Sequence, residues 1–180
     1  MCIPELVASI GKEASGIATA SPTWLSRITS LRLDSVKPQI YIVGGCLGVR
    51  GSNSAEKFDP AAGIWQTLKP MSTERDRHTA SVISGRLYVV GGSDDNEHPL
   101  NSAECFDPVA GVWQMLAPMS AARARHTASV IGGQLYVVGG RCHGRRTLGS
   151  AECFDPASGT WQILAPLSAK RYRHTASVIG

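Results

Sequence analysis

The sequence predicts an all-β fold, an incomplete β-propeller with three blades of four antiparallel strands and the inner strand of a fourth. First, one block recurs at a spacing of 48 residues, carrying Trp65, Trp113 and Trp161, then His78, His126 and His174, and FDP triplets that begin at Phe58, Phe106 and Phe154. The 31 residues from Ser102 to Gly132 match those from Ser150 to Gly180 at 24 positions. A period of roughly 20–50 residues marks propellers, solenoids and arrays. Second, each copy divides into four short β-rich runs separated by turn residues, with no helical period. Third, 19 glycines and 10 prolines among 180 residues supply many tight turns.

The middle copies show how one unit is built. His126 to Ile131 (HTASVI) is a short β-branched run, followed by Gly132-Gly133 and then Gln134 to Val138. Two strands joined by two glycines read as a hairpin whose turn needs positive φ. Ser84-Gly85 stands at the same place one copy earlier. A diglycine closes the second strand (Gly44-Gly45, Gly91-Gly92, Gly139-Gly140), where a neighbouring backbone or aromatic ring can approach closely. The third strand is expected at about 102–106 and the fourth at about 112–116, joined by a turn at Asp107-Pro108-Val109-Ala110-Gly111. Each fourth strand begins with a tryptophan, expected to bury against the next unit for about 2–3 kcal/mol. Four short antiparallel strands, repeated, make a propeller blade.

Bulk properties exclude several classes. With 43% hydrophobic and 18% charged residues the chain has a globular composition, and its apolar runs are too short to span a bilayer. A net charge of +4 gives a mild preference for acidic partners and does not point to nucleic acid. Glu5, Lys12 and Glu13 interrupt the only apolar stretch of the first 20 residues, which argues against a cleaved secretory signal. Cys2, Cys46, Cys105, Cys142 and Cys153 are odd in number and lack zinc spacing, so free thiols in a reducing, cytoplasmic setting are expected.

These residues resemble the kelch repeat. The resemblance rests on IYIVGG, LYVVGG and LYVVGG, on Glu-x-Phe-Asp-Pro with the tryptophan after it, and on Pro-Met-Ser or Pro-Leu-Ser leading to Arg-x-Arg-His. It covers about residues 32–180 and implies a kelch-type β-propeller whose first strands line a central channel. Blade 1 is expected at about 32–68, blade 2 at about 78–116, blade 3 at about 126–164, and a lone inner strand at about 174–179. The inner strand of blade 1 must come from 32–36, where Lys37-Pro38 replaces the flexible turn. Residues 1–31 form a leader or degenerate repeat remnant with Trp24 and a short helical pattern through Leu6, Ile10 and Ile17. Propellers close with about 4–8 blades. The chain is therefore either part of a longer kelch protein or half of a homodimer that completes a six-bladed ring.

Recognition is expected where the repeats diverge. The second-to-third-strand loops read CLGVRGSN (46–53), SDDNEHPLN (93–101) and RCHGRRTLG (141–149), and they share a face with the Arg-x-Arg connections. Resemblance to kelch proteins that bind acidic peptides nominates the second arginine of each pair, Arg77, Arg125 and Arg173. Arginine forks suit carboxylates and phosphates, but arginines in register with Glu56, Glu104 and Glu152 also suit a role within the frame. The unrepeated Arg141, Arg145, Arg146, Asp94 and Asp95 complete the candidate partner-binding set. His78, His126 and His174 read as framework rather than metal ligands, and no catalytic residue or cofactor is nominated, because a catalytic group is needed once and these recur in every unit. The leading expectation is a non-enzymatic module for protein–protein interaction, within a ubiquitin-ligase substrate adaptor or an actin-associated protein. The rival is a kelch-type enzyme, a copper oxidase or a sugar-acid isomerase.

Overall fold

In a computed structural model, residues 38–48 and 50–180 are described. The leader with Trp24, its short helical pattern and the inner strand expected at 32–36 lie outside the described residues. Thirteen strands appear among the described residues, in chain order: β1 (Ile40–Val43), β2 (Cys46–Leu47), β3 (Arg50–Gly51), β4 (Ala55–Asp59), β5 (Ile64–Thr67), β6 (Thr79–Ile83), β7 (Arg86–Val90), β8 (Ala103–Asp107), β9 (Val112–Met115), β10 (Thr127–Ile131), β11 (Gln134–Val138), β12 (Ala151–Asp155) and β13 (Thr160–Leu164). Blades 2 and 3 are four-stranded meanders in the orders β6-β7-β8-β9 and β10-β11-β12-β13, all antiparallel. Blade 1 shows its outer three strands as β1-β4-β5. Residues 174–179 pair with no strand among the described residues, but His174 and Arg173 lie against blade 3 as their counterparts lie against blade 2.

The turns form as their residues dictate. Gly132 and Gly133 have φ of 59° and 77°, and Ser84-Gly85 has 49° and 76°, which is the hairpin geometry that matches strand twist. The Asp107 carboxylate accepts the amides of Val109 and Ala110 at 2.9 and 3.1 Å, and the Gly111 amide closes the turn onto the Asp107 carbonyl at 2.8 Å. A small hairpin, β2–β3, and a 3-10 turn at His143–Arg145 lie inside the divergent loops, where no repeat signal marked them.

The core lies between blades. Alternation along the second strand sends Leu87 and Val89 back to blade 1 and Tyr88 and Val90 on to blade 3. Phe106 therefore packs in the cluster with Val43 and Ala55, and Phe154 in the cluster with Tyr88 and Val90. The tryptophans correct one expectation. Trp113 and Trp161 pack in the interface with the preceding blade, not the next. Each indole N–H donates to a carbonyl of the connection that leaves that earlier blade, Lys69 for Trp113 and Ala117 for Trp161, both at 2.8 Å. The plate is anchored by a polar tip, so it stays half-buried at a set angle.

Candidate functional site

The Arg-x-Arg pairs divide into two roles. Arg75 and Arg123, the first members, are fully buried and ion-paired across one blade with Glu104 at 2.7 Å and Glu152 at 2.6 Å. Arg75 also donates to the carbonyls of Gly91 and Ser102, and Glu104 accepts the Ser72 amide and hydroxyl. Burial opposes the Glu104 charge, yet these Ser72 and Arg75 hydrogen bonds hold its carboxyl below the usual range. The frame role that the register with Glu104 and Glu152 suggested belongs to these arginines.

The second members stand apart from it. Arg77, Arg125 and Arg173 have φ of 53°, 55° and 55°, a left-handed conformation that non-glycine residues seldom take. Their backbones form a ladder from blade to blade: the Arg125 amide donates to the Arg77 carbonyl and the Arg173 amide to the Arg125 carbonyl, both at 2.9 Å. Behind them, His126 and His174 bond Thr79 and Thr127 of the preceding inner strands at 3.0 Å. His126 is buried against Gly91, and burial first, then the charge of Arg123, pushes its pKa down to about 3. These histidines are built into the blade joints. Among the described residues no three His, Cys, Asp or Glu side chains group as a metal site.

Above the ladder the two loop classes meet, as Asp76 bridges Ser93 and Ala124 bridges Arg141. A cavity of about 500 Å³ opens there, lined by Arg77, Arg125, Arg141 and Arg145 with Glu97 and the histidine pair His98 and His143, whose rings are 6.0 Å apart. A shallower recess of about 390 Å³ joins Arg77 and Arg125 to Arg173. Burial, then the like charges of Arg77, Arg173 and Arg141, lower the Arg125 pKa, which is the mark of cations held together. Among the described residues, Arg125, Arg145 and Arg173 form no ion pair.

The remaining candidates are placed differently. Arg141 lies over the Tyr172 ring at 5.3 Å, so its guanidinium is partly fixed by stacking. Arg146 lines a separate recess with Lys170 and Thr147. Asp94 is occupied within its loop, accepting the amides of Asn96 and His98 at 2.9 and 2.8 Å. Asp95 accepts the Gly51 amide from blade 1. Glu97, His98 and His143 enter the site without having been nominated. Their only sequence signal was membership in the two charged, unrepeated loops.

The KLHDC2/KLHL20/DRC7 Kelch-repeats domain matches residues 30–180. The chain belongs to the kelch-repeat family. Among its kelch relatives, an F-box/kelch-repeat protein of Arabidopsis thaliana is 44% identical over 54 residues, which is 30% of this chain and 16% of that protein. Kelch-like ECH-associated protein 1B of Danio rerio is 36% identical over 70 residues, 39% of this chain and 12% of its own length. Kelch-like protein 35 of Mus musculus is 30% identical over 62 residues, 34% of this chain and 11% of that protein. The kelch stretch seen here thus aligns with less than a fifth of each of these relatives.

Proposed function

We propose that the chain is a non-enzymatic protein-interaction module that holds an acidic segment of a partner on its loop-bearing face. The carrying observation is the ladder of Arg77, Arg125 and Arg173. Three arginines adopt a backbone that costs of order 1 kcal/mol each, where glycine or asparagine would sit freely. Their guanidiniums add nothing comparable to the Arg75 and Arg123 pins. Retaining arginine there makes sense if the side chain meets something outside the frame. Two relatives, Kelch-like ECH-associated protein 1B and the influenza virus NS1A-binding protein homolog of Mus musculus, are named for association with other proteins, which supports the same reading.

We further propose a cytoplasmic location and a role in a ubiquitin-ligase substrate adaptor or an actin-associated protein. No helix among the described residues is long and apolar enough to cross a membrane. The test is proximity labelling or pull-down with an Arg125→Glu/Arg173→Glu double variant. Loss of partners with retained folding supports the reading, and an unchanged partner set rejects it. Bound copper, or sialic-acid isomerisation by purified protein, would favour the enzyme classes instead.

A second reading concerns assembly. Ile40 and Ile42 are 52% and 51% exposed, whereas the matching Leu87 and Val89 of blade 2 are 8% and 0% exposed beneath a preceding blade. Such a face suits a further blade, supplied in this reading by a second copy that closes a six-bladed ring. Light scattering at micromolar concentration tests this, since a monomer rejects the homodimer.

A further inference from the structure

We infer that Glu97 is a built-in surrogate ligand, a carboxylate of the protein itself that occupies the arginine cavity and must be displaced by an incoming acidic segment. The inference rests on the arginine-face reading above and adds what the site selects for, a peptide with several neighbouring carboxylates rather than a single one.

The loop that carries Glu97 is braced on every side. Its Asp94 carboxylate accepts the amides of Asn96 and His98, and the Glu97 amide donates to the Asp94 carbonyl at 3.0 Å. Ser93 is bridged to both Asp76 and Pro99, and Asp95 accepts the Gly51 amide of the neighbouring blade. Within that brace Glu97 itself takes φ of 60°. Its side chain, 67% exposed, leans into the cavity and accepts one hydrogen bond from the Arg77 guanidinium at 3.1 Å. Arg77 meets a second carboxylate through its Nε, Asp76 at 3.0 Å. The protein thus pairs one arginine of its cluster and leaves Arg125 and Arg145 without an ion pair among the described residues.

A water-exposed carboxylate held by one charged hydrogen bond is cheaply moved. A ligand with one carboxylate gains little by replacing it, because one ion pair is exchanged for another. A ligand with several carboxylates takes Arg77 and also reaches Arg125 and Arg145, with which no carboxylate among the described residues is ion-paired. Discrimination then comes from a repulsive element as well as an attractive one.

The probe is a fluorescein-labelled hexaglutamate peptide, followed by anisotropy on the full chain at low salt. Glu97→Gln should tighten binding about two- to fivefold, the range for an exposed ion pair, and 0.5 M salt should shrink the gain. Arg125→Glu should abolish binding in both backgrounds. Glu74→Gln makes the same charge change outside the cavity and should have little effect. In an Arg77→Ala background the gain from Glu97→Gln should shrink. If Arg125→Glu abolishes binding but Glu97→Gln leaves it unchanged or weaker, or if Glu74→Gln gives an equal gain, the surrogate role is overturned while the arginine face stands. If Arg125→Glu binds hexaglutamate as the native chain does, or no variant binds, both are overturned.

Discussion

Arg123 and Glu152 meet at 2.6 Å in the joint of blade 3, with essentially no exposure to water, although 29 residues separate them in the chain. The arginine enters from the connection that leaves blade 2, and the glutamate stands on β12. The pair fastens the connection onto the next sheet, and Arg123 Nη1 donates to the carbonyls of Gly139 and Ser150 at 2.8 and 3.1 Å. Removing one member leaves a buried charge alone, which is the costly outcome.

Arg123→Met is therefore expected to destabilise the chain by about 3–5 kcal/mol, read as a lower urea midpoint. Arg125→Glu, two residues away, should leave the midpoint almost unchanged. Equal losses in the two variants would contradict the division of roles within the pair.

Two glycine substitutions should behave oppositely. A Cβ on Gly91 would lie 2.6 Å from the Arg123 carbonyl oxygen and 2.7 Å from the His126 ring, at φ of 61°. Gly91→Ala should cost more than about 1 kcal/mol, since backbone strain and a backbone clash act together. Gly132 has φ of 59° with nothing near its Cβ, and Asn-Gly is favoured in such a turn. Gly132→Asn should be neutral or slightly stabilising in thermal melts.

Stability should fall in mild acid through His126. Its folded pKa of about 3 lies below the 6.5 of the free side chain, so the unfolded chain takes up the proton first. The contribution is complete above about pH 6.5 and is lost as pH falls toward 3, at up to about 1.4 kcal/mol per pH unit. Glu104, held low by Ser72 and Arg75 against the cost of its burial, adds a slope of the same sign below its ordinary range. Urea midpoints from pH 7.5 to 4.5 test this, and His126→Gln should flatten the dependence.

Trp113→Phe keeps most of the apolar plate and removes the bond to the Lys69 carbonyl. A loss of about 1 kcal/mol is expected by denaturant titration. No loss would mean that the indole N–H is equally well served by water.

What the sequence determined by itself was local and periodic. The spacing of 48 residues, the strand alternation and the turn residues placed β6 to β13 within a residue or two, because each depends only on neighbours a few positions away. Tertiary structure decided everything that depends on which blade a side chain meets. Arg75 and Arg77 are the same amino acid two positions apart, yet Glu104 captures one while the other, on a left-handed backbone, lines the loop-face cavity beside Glu97. The tryptophan's direction and the carboxylate of Glu97 were illegible for the same reason. Their partners, Lys69 for Trp113 and Arg77 for Glu97, lie 44 and 20 residues distant, and only the stacking of successive blades brings them within hydrogen-bonding reach.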